Sequence, residues 1–345
     1  GIFASPLVPL SQSFIFDAYP GDQRGRAMGW WTVGMMSGAA CGPLIGGYVT
    51  EFYSWRWAFY INVPVGLLSF VLMLVFAPVR AFRDRVRPFG FVGFVILTIG
   101  LVSLPLILSR GERLDWFKAD EIVIATGLVM VSFYLFAIHT ATSKRPYIDV
   151  GVFQDRNFVI GLVLITIVGA QWLAFLALLS PFLQNLAGYP VITAGVAMVP
   201  QAVGFAVSGP VAGRLVGRAH PFLLMVFGVL MLVGANWQVS LLTPDFGRDL
   251  FFAIAFVHGC GLGFLFVPLT VVTFSTLPAH LTDIGTGLYA LGRNFGSSIG
   301  ATLAVAYLVR TTQIHHAELG TNVTPFSEAL RHIPLPETWN LADAS

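Results

Sequence analysis

What most constrains this chain is a succession of apolar runs, each long enough to cross a bilayer, separated by short stretches carrying Arg, Lys, Asp or Pro. Full runs begin near Trp30, Phe59, Phe89, Ile122, Phe158, Ala194, Phe222, Phe251 and Gly285, and a partial run covers residues 1–16. A spanning helix takes about 20 mostly apolar residues, so the pattern predicts nine complete spans plus a partial one. The fold class expected is an all-α polytopic membrane protein. Composition agrees: 56% of residues are hydrophobic and 10% charged, where soluble domains carry roughly 25% charge. A water-soluble fold has no means of hiding that much apolar surface.

The net charge of +2 is small, and the basic residues cluster beside apolar runs. That places them at a membrane surface and leaves no nucleic-acid footprint. Cys41 and Cys260 both fall inside apolar segments, so neither a disulfide framework nor a metal site of the C-x2-C type is expected. The chain opens at Gly1 within an apolar run, and residues 310–345 are polar with Pro325, Pro334 and Pro336. The expectation is a fragment of a longer protein whose last stretch is a loop.

Orientation follows from Lys and Arg, because cytoplasmic loops carry their excess. With alternating loops, Arg24, Arg26, Arg80, Arg83, Arg85, Arg87, Lys144, Arg145, Arg156, Arg214 and Arg218 share one side. Arg56, Arg110, Arg113, Lys118 and Arg248 take the other. The first set is read as cytoplasmic, which puts the tail after Arg310 outside. Trp55, Trp57, Phe59 and Tyr60 then lie at an outer boundary, suited to an interfacial aromatic belt.

One run carries Gly34, Gly38, Gly42, Pro43, Gly46 and Gly47. Four residues advance about 400° on a helix, so the small residues form a slowly drifting stripe where another backbone can approach. A proline at that depth frees a carbonyl and is expected to bend the helix. Ordinary small-residue packing accounts for the stripe as well as a gating role does.

This spacing resembles the antiporter motif of the major facilitator superfamily, which that family places on its fifth helix. The Arg-Gly-Arg-Ala of residues 24–27 precedes it, and Trp55-Arg56-Trp57-Ala58-Phe59-Tyr60-Ile61-Asn62-Val63-Pro64-Val65-Gly66 follows. Together these are similar to the fourteen-span drug:proton antiporters of the EmrB and QacA type. Pro146-Tyr147-Ile148-Asp149-Val150 with Phe153 and Arg156-Asn157-Phe158 resembles the loop before that family's ninth span. Gln184, Gly188-Tyr189, Ala194-Gly195, Pro200 and Pro210 resemble its next hairpin, and Arg293, Gly296, Ser298, Ile299 and Gly300 its penultimate span.

The resemblance implies a division into residues 1–80 as the end of an amino-terminal bundle, 81–157 as two linker spans, 158–309 as the carboxy-terminal bundle and 310–345 as an outer loop. It implies proton-coupled efflux of lipophilic or amphipathic compounds across the inner membrane by alternating access. The energy source is then a proton gradient, with no cofactor and no metal. The lipid bilayer is the medium, and a periplasmic adaptor with an outer-membrane channel are the implied partners. A narrow-substrate exporter is the nearest alternative. The family's first three and a half spans, with an acidic residue often found in the first, fall before Gly1 in this register. Every Asp and Glu of the chain maps to a loop, a span end or the tail, so the proton carrier is expected upstream.

Within the runs, Arg293 is the one charge well inside a span; unpaired there it costs at least about 2.5 kcal/mol, so it needs a partner or a path to the interface. His258 has an imidazole suited to proton exchange, and equally to hydrogen bonding within a bundle. Gln12, Gln171, Gln184, Gln201, Asn236, Gln238 and Asn294 are candidates to line a cavity or to bond between helices. Gly209, Gly213, Arg214, Gly217 and Arg218 resemble the second-half copy of the superfamily's cytoplasmic loop motif, with Gly213 where Asp is common. No G-x4-G-K-[ST] or H-E-x2-H occurs, which leaves an ATP-driven pump and a zinc-dependent membrane enzyme without a motif. A channel or sensor is not excluded by span count.

Overall fold

A computed structural model describes residues 7–76, 90–111, 114, 116–143, 147–243 and 247–322. Within its helices, the side chains at 22, 39–41, 43, 44, 47, 51, 76, 191, 192 and 319–322 are outside that description. The described residues form helices α1 (Leu7–Ala18), α2 (Gly21–Phe52), α3 (Trp57–Tyr60), α4 (Asn62–Phe76), α5 (Phe91–Gly111) and α6 (Asp120–Thr142). After them come α7 (Arg156–Pro181), α8 (Val191–Leu215), α9 (Pro221–Ser240), α10 (Arg248–Thr273) and α11 (Thr282–Asn322). Seven helical segments among them are both long and apolar enough to cross a membrane. α2 and α11, at 32 and 41 residues, have the length for a span. Their glycines and polar residues dilute the apolar signal. The all-α polytopic class is thus what the chain adopts.

Hydropathy locates the embedded part of a helix and misses its ends. α2 starts nine residues before Trp30 because Gly21–Gly29, polar as it is, continues the same helix. α11 likewise runs through Arg310 to Asn322, which corrects the expected loop start. Residues 311–319 hold Gln, His, Ala, Glu and Leu with no Pro or Gly, so nothing there stops a helix. The remainder of that stretch, and residues 80–87 of the cytoplasmic set, lie outside the described residues.

The bundle is organised around α10. Nearly all of its residues from His258 to Thr273 are buried, as expected of a helix apolar on every side and enclosed by neighbours. α8, α9, α7 and α2 pack around it, and α11 lies along α7. α5 and α6 form a hairpin that meets α11 through α5, while α1 rests on α11 and α2. The described side chains of α4, from Val63 to Val75, are all exposed, and an apolar solvent suits them. Trp55, Trp57, Phe59 and Tyr60 are exposed too, in keeping with an interfacial belt.

Two aspartates explain the loop before α7. Asp149 accepts from the Gly151 backbone N–H, and Asp155 caps α7 by accepting from the Phe158 N–H at 2.8 Å. Phe158 then enters a buried cluster with Phe274, Phe16 and Tyr289. Nearby, Ser13 hydrogen-bonds Asp283 and Asn157 donates to Thr276. The start of α7, the end of α10 and the start of α11 therefore share one end of the bundle.

Candidate functional site

Glycine brings the non-consecutive helices α2 and α8 into backbone contact. A methyl group at Gly25 would sit 2.7 Å from the Gly213 carbonyl oxygen, and one at Gly29 would sit 2.7 Å from that of Gly209. Reciprocally, a methyl at Gly213 would strike the Gly25 carbonyl and one at Gly209 the Thr32 hydroxyl. α2 and α8 thus cross backbone to backbone, antiparallel, with Arg24, Arg26, Arg214 and Arg218 at the same end. That matches their shared side in the sequence.

The loop-motif expectation is corrected here in part. Gly209 and Gly213 belong to the packing face of α8, Arg214 to its last turn, and Gly217 and Arg218 to the turn beyond; a methyl at Gly217 meets nothing within 4 Å. Along the antiporter-type stripe, a methyl at Gly34, Gly38, Gly42 or Gly46 also meets nothing within 4 Å among the described residues. α2 runs unbroken through this stretch, while the side chain of Pro43 and position 47 lie outside the description. The glycines that α2 uses for contact are Gly25 and Gly29, one stretch earlier. Their i, i+4 spacing, repeated in Gly209 and Gly213, was the signal available in the sequence.

One turn beyond the crossing lies a cavity. Met35, Met36, Val168, Trp172, Phe205, Leu262, Phe266 and Arg293 line a pocket of about 20 Å³, and an adjoining pocket of about 100 Å³ shares Met36, Trp172, Phe205 and Leu262 and adds Met198 and Gln201. Five helices contribute: α2, α7, α8, α10 and α11. Thioethers and aromatic faces adapt to apolar ligands of varied shape, and few polar groups interrupt them. The half-buried Arg293 guanidinium approaches the Met35 sulfur at 3.9 Å, and no carboxylate pairs with it among the described residues. Trp31 stacks on Phe266 at 6.2 Å behind this wall.

Gly169, Gly296 and Gly300 fix the backbone that carries Arg293. Methyl groups there would strike the carbonyls of Arg293, Thr166 and Ala170 respectively. α7 and α11 are thereby held at close range, and Arg293 is presented to the cavity by a rigid pair.

The other candidates scatter. Asn294, next in sequence, lines a separate crevice with Pro9, Leu101, Pro105 and Ser298, because adjacent helix positions point about 100° apart. Gln184 sits in the π turn Phe182–Leu186 and bonds Ser180 at 2.9 Å, away from the cavity. Gln12 on α1 is 1% exposed, and neither end of its amide has a partner among the described residues. His258 is fully buried, with Gln171 at 3.0 Å and Gln201 at 2.9 Å from its two ring nitrogens. The described residues hold no group of three His, Cys, Asp or Glu arranged to bind a metal. Sequence reasoning missed Met35, Met36, Trp172 and Phe205, since an apolar wall residue looks like any other core residue until helices are placed.

Comparison with known families matches residues 1–301 to the Major Facilitator Superfamily model. The chain is 32% identical over 330 residues to the Multidrug export protein EmrB of Escherichia coli K12, covering 95% of this chain and 64% of that protein. It is 30% identical to the Probable multidrug resistance protein EmrY of the same strain, over 95% of this chain and 64% of the relative. With the Fatty acid resistance protein FarB of Neisseria gonorrhoeae it shares 27% identity over 96% of this chain and 65% of the relative. The chain therefore spans somewhat less than two thirds of the length of these relatives.

Proposed function

Since the chain belongs to the major facilitator superfamily, we propose that its protein is a secondary active exporter of lipophilic or amphipathic compounds, driven by a proton gradient across the inner membrane. The observation that carries this reading is the cavity of Met35, Met36, Trp172, Phe205, Leu262 and Phe266, with Arg293 at its wall and the glycine crossing of α2 on α8 one turn away. An apolar, adaptable cavity binds by burial; one guanidinium adds attraction for a negative group. The names of these relatives, two multidrug proteins and one fatty acid resistance protein, are in keeping with such substrates.

Alternating access is the transport mode we propose with it. Backbone contact between Gly25, Gly29 and Gly209, Gly213 closes the arginine-rich end, which the charge bias makes cytoplasmic. Among the described residues, a methyl on the stripe at Gly34, Gly38, Gly42 or Gly46 meets nothing within 4 Å. Contact concentrated at one end of α2 is in keeping with two bundles that rock about a midplane site. In this reading the crossing breaks when the cavity opens to the cytoplasm.

A periplasmic adaptor and an outer-membrane channel remain the proposed partners, with the polar stretch after α11 as the contact. Deleting residues 323–340 from the complete protein should abolish adaptor co-purification; an intact complex would remove that assignment. For transport itself, the complete protein is reconstituted in liposomes under a pH gradient. A lipophilic compound should trigger proton release that stops on Arg293→Met when the compound is anionic. Absence of release across a broad panel would defeat the exporter reading.

A further inference from the structure

His258 is a buried ionisable group that the cavity does not use directly, and its surroundings are built by backbone packing. Gly259, its neighbour on α10, admits the Gln201 carbonyl of α8 where a methyl would strike it, and Gly204 likewise admits the Phe256 carbonyl. α8 and α10 are thereby clamped together, and the Gln201 amide nitrogen lies 2.9 Å from the ring Nδ1. From α7, the Gln171 amide nitrogen lies 3.0 Å from Nε2, and the Phe175 ring stacks on the imidazole with centroids 4.0 Å apart. The ring is thus bracketed in its plane by two amides and covered on one face.

Counting donors and acceptors shows what this bracket can hold. A neutral imidazole has one N–H donor and one lone-pair acceptor, whereas an imidazolium has two donors. The Gln171 Oε1 is buried with no hydrogen-bond partner among the described residues. A half turn of that amide brings Oε1 to the ring Nε2–H, while Gln201 donates to Nδ1, and the neutral ring is satisfied. If the Gln201 amide turns as well, both ring nitrogens donate into amide oxygens, which suits the imidazolium. One side-chain rotation therefore separates complete partnering of the neutral ring from complete partnering of the charged one. A carboxylate in place of either glutamine would favour the charged ring alone.

Among the described residues, no fixed charge competes at the ring. Gln171 and Phe175 of α7 and Gln201 of α8 face it, and α9 carries no ionisable side chain. Arg156, Arg214, Arg248 and Asp249 stand near the ends of α7, α8 and α10, about 13 to 23 Å along the helices from the bracket. Arg24 and Arg26 lie in the first turns of α2, beyond the glycine crossing, and Arg293 approaches the cavity from α11 at Met35. Cys260, two residues along α10, turns to the Gly204 carbonyl at 3.5 Å. Gln201 also lines the part of the cavity of about 100 Å³, room for several waters. Gln201 therefore touches both Nδ1 and that space.

We propose that the Gln171–His258–Gln201 bracket is a proton-binding site, loaded from cavity water and reporting its state to the cavity through the orientation of the Gln201 amide. A hydronium gives its proton to the Nδ1 lone pair and leaves as water, and the ring carries one positive charge until Nδ1 returns the proton to water. Gln201 offers its oxygen to the cavity while the ring is neutral and its N–H2 while the ring is charged. The sequence resemblance puts a proton carrier upstream of Gly1; this site is a second one, within the carboxy-terminal bundle. Its role in coupling rests on the exporter reading, while its capacity to bind a proton does not.

Two measurements on the complete protein separate those claims. In bilayers containing 15N-labelled histidine, solid-state NMR before and after His258→Asn identifies the His258 signals. They should convert from a neutral tautomer to imidazolium between about pH 4 and 8, and Gln171→Glu should move that conversion upward by at least one pH unit. A wild-type ring that stays neutral throughout overturns the site, whatever Gln171→Glu or the transport result shows. In proteoliposomes, His258→Gln should reduce gradient-driven accumulation to passive equilibration while substrate exchange falls by less than tenfold. Equal loss of both, or undiminished accumulation, overturns the coupling role. Should His258→Gln fail to insert, Gln171→Glu must shift the pH optimum of accumulation upward, and an unchanged optimum counts against coupling.

Discussion

The glycine crossing of α2 on α8 makes the sharpest demand on the transport reading. In Gly213→Ala the new methyl meets the carbonyl oxygen and carbon of Gly25 and the Cα of Gly29, all backbone atoms, so no side-chain rotation relieves it. Overpacking of this kind costs about 1–3 kcal/mol. Alanine also gains about 1 kcal/mol of helix propensity over glycine, but it does so with the crossing closed or open, and that gain cancels. The closed arrangement alone bears the collision, so the equilibrium moves toward the open one by about 5- to 150-fold. Spin labels replacing the exposed Arg26 and Arg218 in the complete, cysteine-free protein read this as a growing long-distance population by pulsed dipolar spectroscopy. Gly234→Ala is the control, since a methyl on that exposed face of α9 meets nothing within 4 Å, and its distance distribution should match the wild type. An unchanged distribution in both Gly213→Ala and Gly29→Ala would show that the crossing does not open, and the rocking mechanism would lose its structural basis.

The remaining predictions concern the cavity wall and the arginine-rich end. Arg293→Met removes charge-assisted hydrogen bonds worth about 1.5–3 kcal/mol, so anionic amphipaths should bind roughly 10- to 150-fold more weakly while neutral ones change little; equal losses by calorimetry would deny Arg293 a ligand role. Asp155→Ala deletes the cap on α7 and should cost about 0.5–2 kcal/mol of stability, seen as a lower melting temperature in detergent that Asp155→Ser restores. Burial raises the Tyr147 phenol above its usual value near 10. The folded state therefore keeps the proton longer than the unfolded one, and its contribution is present below about pH 10 and lost as pH climbs through the raised value. Tyr147→Phe should flatten the fall of melting temperature above pH 10, and an equally steep fall would assign the alkaline loss elsewhere.

How much of this was legible in the sequence depends on the range of the physics. Apolar runs gave the helices because transfer into a bilayer is a local sum over about 20 residues. They gave α2 and α11 too short, because a helix leaving the membrane keeps its backbone bonds although its side chains turn polar. The charge bias placed Arg24, Arg26, Arg214 and Arg218 together, and the α2–α8 crossing brings those two pairs to one end. Asp149 and Asp155 were visible as part of a family-like loop, and their caps give that pattern a mechanical reason. The cavity was not legible: Met35, Trp172, Phe205 and Leu262 belong to four helices, and no spacing along one chain announces a wall shared by four.

The polar residues show where sequence reasoning stops and why. Arg293 and Asn294 were read as one candidate pair because they are neighbours in sequence, yet about 100° of helix rotation sends them to different spaces. Gln171, Gln201 and His258 were read as separate possibilities, yet three helices bring both amides within 3.0 Å of the His258 ring nitrogens. What decides both cases is glycine placement. Gly169 and Gly296 bring α7 onto α11 and so aim Arg293 inward, while Gly204 and Gly259 press α8 on α10 and so deliver Gln201 to His258. Without an apolar driving force between helices in lipid, close backbone approach is what selects neighbours. Glycines at matched spacing on two different runs therefore carry more information about a buried site than the polar residues that compose it. Gly25 with Gly29 and Gly209 with Gly213 are the case where that matching could have been made before any coordinates existed.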